Sequence, residues 1–180
     1  KMHDDLLDAV TWAVDQGIAR RDRIAIMGGS YGGYATLVGL TFSPETFACG
    51  VDIVGPSNII TLLESVPPYW APFIALFKRR VGDHTTEEGR AMLRARSPLG
   101  RAEAIVRPLL IGQGANDPRV KQAESDQIVQ AMQDKGIPVT YCLYPDEGHG
   151  FARPENSQAL NAIVAACPPE QLGGRHRPLG

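Results

Sequence analysis

Ile24-Ala25-Ile26-Met27-Gly28-Gly29-Ser30-Tyr31-Gly32-Gly33 is the stretch on which the reading of this chain turns. Four apolar residues behind the charged Arg23 read as a short buried strand, and Ala35 to Leu40 suit a helix. A serine at the apex of a sharp strand-to-helix turn has its hydroxyl projected away from the backbone, where it can act as a nucleophile. Such an apex is strained, so the residues two before and two after the serine must be small. Gly28 and Gly32 fill those places, and Gly29 and Gly33 leave further room. The competing reading is an ordinary glycine-rich turn, and the rest of the chain has to decide between them.

A serine hydroxyl becomes a useful nucleophile when a base takes its proton and a carboxylate orients that base. Behind a turn of this kind the partners follow in the order serine, acid, histidine. The chain has four histidines. His3 precedes the serine, His84 lies in a polar turn with no strand before it, and His176 lies in a Gly/Arg/Pro-rich tail. His149 stands between two glycines just after the β-rich run from Val139 to Tyr144, where a loop could carry it across the top of a sheet. For the acid, Val106 to Ile111 reads as a buried strand and Gly112 to Pro118 as its exit loop, which makes Asp117 the best candidate. Asp52 falls inside a strand-like run and Asp83 in a mid-chain turn, while Asp146 and Glu147 stand too close to His149. Singly, His149 could be a loop histidine and Asp117 an Asp-Pro turn former; together and in order they make one constellation.

The combination of Gly28-to-Gly33, the Asp117-Pro118-Arg119-Val120 core and Glu147-Gly148-His149-Gly150-Phe151 resembles the catalytic domain of the prolyl oligopeptidase family, in its acylaminoacyl-peptidase and dipeptidyl-peptidase branch. The likeness covers about residues 4–166. It implies an α/β-hydrolase fold, with Ser30 as nucleophile, Asp117 as orienting acid and His149 as base. It also implies that the N–H of Tyr31 serves an oxyanion hole, and that Arg119 and Val120 lie where substrate binds. Ser97-Pro98 matches a further recurring element.

Domains of this family have about eight strands, with the elbow after the fifth. Here a single helix precedes the elbow strand: Leu6, Val10 and Val14 recur at four-residue steps, Asp4 and Asp5 favour its start, and Gly17 can end it. The expectation is therefore the C-terminal half of the catalytic domain over residues 1–172, with about four parallel strands near 23–28, 47–54, 106–112 and 139–144. The upstream strands, the His-Gly-Gly-type loop that supplies the second oxyanion donor and the gating β-propeller are absent from this sequence. Loss of one such donor costs about 10²–10³ in turnover. The exposed edge of the elbow strand leads us to expect a homo-oligomer paired along it.

The length of 180 residues fits one domain with a real core. A net charge of −2 with 21% charged residues points to neither nucleic-acid nor membrane-surface partners, and no metal or cofactor motif stands out. Cys49, Cys142 and Cys167 sit in apolar runs and read as reduced core thiols, which favours the cytoplasm.

A helix over 121–135, with Gly136 as its C-cap, is expected to separate the strands that carry Asp117 and His149. The last helix should present Leu160, Ile163, Val164 and Cys167 on one face, end at Pro168-Pro169, and give way to a disordered tail over 173–180. Between the second and third strands runs an excursion of about fifty residues, long for a connection. Its aromatic part offers Tyr69, Trp70, Phe73 and Phe77 as an apolar pocket, with plain helix packing as the competing view. Its basic part, 78–96, reads as a solvated helical face. The functions that fit are a serine peptidase on short or N-acylated peptides, a carboxylesterase or lipase with the same triad, or an inactive hydrolase fragment.

Overall fold

The computed structural model describes residues 1–166, so Cys167, the Pro168-Pro169 stop and the tail beyond lie outside the described residues. Helix α1 (Met2–Asp15) leads into β1 (Ala25–Gly29) and α2 (Tyr31–Phe42), followed by β2 (Cys49–Ile53). The excursion holds α3 (Ile59–Glu64), a 3-10 segment (Pro68–Phe73), α4 (Ile74–Arg80), α5 (Glu87–Arg96) and a second 3-10 segment (Pro98–Ala104). The last elements of the described residues are β3 (Leu109–Gly114), α6 (Gln122–Gln133), β4 (Thr140–Tyr144) and α7 (Pro154–Ala166). The four strands pair in parallel in the order β1-β2-β3-β4, as an α/β-hydrolase C-terminal half requires.

Strand β3 is buried on both faces, which is why it opens on the apolar run Leu109-Leu110-Ile111. Successive residues of a strand point to opposite sides, so Leu109 and Ile111 join Leu37 and Leu40 of α2 and Ile128 and Met132 of α6. Leu110 turns the other way, to Val51 and Leu160 of α7. Strand β1 is an edge of this sheet, and Met27 on it is 55% exposed. Among the described residues no helix is long and apolar enough to cross a membrane.

Several boundaries differ from expectation for physical reasons. Gly112, Gln113 and Gly114 continue β3 instead of starting its exit loop, because the register with β4 runs on to Gly114–Tyr144. The buried Gln113 amide is satisfied inside: it donates to the carbonyls of Gly114 and Val120 and accepts from the Ser125 hydroxyl. Residues 78–96 form two helices separated by a turn, with Gly82 at φ 152°, the Thr86 hydroxyl capping α5 at Gly89, and Leu93 fully buried. On α7, Leu160 is buried and Val164 packs against the core, whereas Ile163 is exposed: a four-residue step keeps one narrow face. The expected glycine stops hold. Gly17 and Gly136 both take φ 67°, and the next residue in each case donates back to a carbonyl five residues earlier.

Candidate active site

Every element of the site leaves the C-terminal rim of the sheet. Ser30 directly follows β1 at φ 56°, ψ −117°, a backbone conformation that non-glycine residues rarely adopt and that surrounding structure must hold. Two hydrogen bonds do so: Ser30 N–H donates to the Ile53 carbonyl at 2.8 Å, and Tyr34 N–H donates to the Ser30 carbonyl at 3.1 Å. The turn closes so far that a Cβ on Gly28 would meet the Gly32 carbonyl oxygen at 2.3 Å.

The acid loop is bent back on itself. One oxygen of Asp117 accepts the N–H groups of Arg119 and Val120 at 2.8 and 2.9 Å. The other lies 2.7 Å from His149 Nδ1, and His149 Nε2 lies 3.0 Å from Ser30 Oγ. The three side chains therefore form one continuous chain, with the Asp117 carboxylate fully buried and the His149 ring 15% exposed. The tautomer that fits both contacts carries its proton on Nδ1, donates it to Asp117, and leaves Nε2 to accept from the Ser30 hydroxyl. Tyr31 opens α2, so its N–H has no carbonyl one turn back to accept it. The Tyr31 side chain is exposed.

The substrate-side candidates divide. The Arg119 side chain is exposed and its guanidinium carbon lies 5.9 Å from the centre of the Trp70 ring, which brings the excursion to the rim beside Asp117. Trp70 packs on Phe77 at 5.7 Å and on Tyr69 at 6.3 Å. Tyr69 and Phe73 are exposed, while Phe77 and Tyr34 lean on the buried cluster of Ile59, Ile60, Leu63 and Leu93. Val120 is buried, and its N–H is committed to Asp117.

Three buried carboxyls shape this rim that the sequence pattern did not single out for such work. Glu147, two residues before His149, accepts from the N–H groups of Ala152 and Arg153 and from the Asn156 amide. Its own carbonyl accepts Asn116 N–H at 2.9 Å, so the histidine loop is tied to the acid loop. Glu124, at the start of α6, accepts the N–H groups of Ser57 and Asn58. Burial raises the Glu124 carboxyl above its ordinary value, against the opposing hydrogen bonds from Thr61, Asn58, Ser57 and Gln127. An acidic residue in a helix's first turn was the available signal for Glu124, but that pattern ordinarily marks a solvated face.

Asp52 is the third. It lies on β2 beneath the elbow, accepts Gly55 N–H at 2.9 Å through one oxygen, and its other oxygen has no partner among the described residues. Burial pushes its carboxyl up to about 7, with the Gly55 N–H opposing. The folded value lies above the unfolded one, so folding favours the protonated form. The resulting stability is complete below about pH 4 and is lost as the pH rises through about 7, a loss of up to about 4 kcal/mol. Asp52→Asn keeps the acceptor for Gly55 and cannot ionise. Urea unfolding should show its stability changing less than the parent's between pH 5 and 9; parallel pH profiles would remove Asp52 as the cause.

The comparisons with known proteins agree with this fold. The sequence profile of the prolyl oligopeptidase family matches residues 1–172. The chain is 67% identical over 180 residues to dipeptidyl aminopeptidase BIII of Pseudoxanthomonas mexicana, covering 100% of this chain and 26% of that protein. It is 58% identical over 179 residues to dipeptidyl peptidase family member 6 of Caenorhabditis elegans, covering 99% and 24%. Among solved structures, a Mycobacterium tuberculosis puromycin-hydrolyzing peptidase superposes with a TM-score of 0.84 at 31% identity, over 98% of this chain and 26% of that one. The chain thus spans about a quarter of the length of these relatives. With the profile matched over nearly its whole length and three rim loops converging as described, this chain belongs to the prolyl oligopeptidase family.

Proposed function

We propose that this chain carries the acyl-transfer centre of a serine peptidase that cleaves short or N-acylated peptides. The observation that carries the reading is the unbroken series from Ser30 Oγ through the His149 ring to the Asp117 carboxylate. As Ser30 Oγ bonds to the scissile carbonyl carbon, its proton passes to His149 Nε2, and Asp117 stabilises the imidazolium through Nδ1–H. Tyr31 N–H faces the oxygen that becomes negative. The C–N bond then breaks, the proton moves from Nε2 to the leaving amine, and an acyl ester remains on Ser30. Water attacks that ester by the same proton path and restores the serine. Arg119, exposed beside the acid, is placed to donate to a substrate carbonyl, and the Trp70 neighbourhood to receive an apolar side chain. The names of the relatives, a dipeptidyl aminopeptidase and a puromycin-hydrolyzing peptidase, favour an amide substrate over an ester.

Labelling with a fluorophosphonate tests the centre directly. The folded parent chain should become covalently modified at Ser30, and Ser30→Ala should not. Absence of label on folded parent protein would leave the inactive-fragment reading standing. Peptide nitroanilides and p-nitrophenyl esters then separate peptidase from esterase; peptide turnover far below ester turnover would favour the esterase.

A further inference from the structure

The exit from β2 is the least regular piece of backbone at the rim. Val54 holds φ 49°, a left-handed conformation that a β-branched residue adopts only under constraint. The constraint on its near side is visible: Val54 N–H donates to the Gly112 carbonyl at 2.8 Å, and Gly55 N–H to Asp52. Pro56 has no N–H to donate, and the next two N–H groups, of Ser57 and Asn58, both go to one oxygen of Glu124 at 3.0 and 2.9 Å. The other Glu124 oxygen accepts from the Thr61 hydroxyl, and the Gln127 amide donates both to Glu124 and to Ser57 Oγ. Ser57 Oγ in turn donates to the Glu124 carbonyl at 2.6 Å.

This clamp stands between two parts of the site. On one side, α6 begins just after the loop whose Arg119 and Val120 N–H groups hold Asp117. On the other, the clamped residues launch α3, whose Ile60 and Leu63 pack with Tyr34 and Phe77. Tyr34 N–H is bonded to the Ser30 carbonyl, and Phe77 lies against Trp70, the ring beneath Arg119. The apolar wall thus runs from the serine to the acid loop. Its polar anchors to α6 centre on the Glu124 carboxyl, itself 2% exposed, with the Glu124 carbonyl and the Gln127 amide bonded beside it.

We propose that Glu124 is a positioning residue that fixes this wall as the pocket for the substrate's acyl side chain, a reading that rests on the acyl-transfer centre proposed above. It touches no reacting atom. It sets the distance between the wall and Ser30, so it governs which acyl groups fit and leaves the chemistry at Ser30 alone.

The test compares two phosphonates that label the active serine: one with a small methyl group, the other a diphenyl phosphonate with a benzyl side chain in the acyl position. Glu124→Ala leaves two buried N–H groups without an acceptor. It should slow labelling by the benzyl probe about tenfold and by the methyl probe less than about threefold. Glu124→Gln keeps an oxygen for both N–H groups and should restore both rates to within about threefold of the parent. Gln127→Ala, at a half-exposed position, should give a smaller loss selective for the benzyl probe, and carries the test if Glu124→Ala does not fold. Equal losses with both probes, or none with either, overturn the assignment. A parent chain labelled by neither probe overturns the acyl-transfer centre itself, and this assignment with it.

Discussion

Asp117→Asn should leave the protein folded and slow acylation of Ser30 by about 10⁴-fold. The size of the effect follows from which end of the new amide must face which neighbour. One oxygen of Asp117 accepts two backbone N–H groups, from Arg119 and Val120, and an NH₂ group there would set donor against donor twice. The asparagine oxygen therefore takes that place, and the NH₂ group turns to His149 Nδ1, 2.7 Å away in the parent. Facing a donor, Nδ1 must become the acceptor, and the ring proton moves to Nε2. In that tautomer Nε2 cannot take the Ser30 proton, although every distance in the site is nearly unchanged. Rates of fluorophosphonate labelling, set beside thermal unfolding midpoints for the two proteins, measure this. An Asn variant that labels within tenfold of the parent would show that the orientation of His149 does not depend on Asp117.

The sequence and the structure agree where a single local pattern sufficed. An apolar run flanked by turn residues made β3 legible, and glycines at the right offset ended α1 and α6. The hydrogen-bonded chain of Ser30, His149 and Asp117 was legible because each residue sits shortly after a strand, and parallel strands bring their exits to one rim. The contributions of Asp52 and Glu124 were not, because each depends on how the chain folds back to bring backbone N–H groups to the carboxyl, which no local pattern spells out. Asp52 reads as a polar interruption of a strand until Gly55 folds back onto it. Glu124 reads as a solvated first-turn acid until residues 57 and 58, more than sixty positions earlier, bring their N–H groups to it. Glu147 stands too near His149 in sequence to be the acid. It was also too near to be recognised as the group that holds the histidine loop. The split of 78–96 into two helices was hidden by charge: the basic residues outline one solvated face, while Leu93, with Met92 beside it, turns inward.

The elbow glycines give the other large effect, and they are not equivalent. Sequence reasoning asks for small residues on both sides of the serine, at 28 and 32. In the folded chain a Cβ on Gly28 would lie 2.3 Å from the Gly32 carbonyl oxygen and 2.4 Å from its carbon. A Cβ on Gly33 would lie 2.2 Å from the Asp52 carboxyl and 2.7 Å from Gly55 Cα. Most of these obstacles are backbone, which cannot swing aside as a side chain can, so Gly28→Ala and Gly33→Ala should each cost about 3 kcal/mol or more. A Cβ on Gly32 meets nothing within 4 Å, and the position is helical with an ordinary backbone conformation. Gly32→Ala should therefore be neutral or stabilise the fold by about 0.5–1 kcal/mol, since alanine loses less backbone freedom in a helix. The requirement for small residues is one contact with two ends: the side chain is forbidden at 28 because the backbone of 32 already occupies its place. Urea unfolding of the three variants separates this from a general need for glycine. If Gly32→Ala proved as damaging as Gly28→Ala, the elbow would have to close differently, and the placement of Ser30 Oγ beside His149 would lose its support.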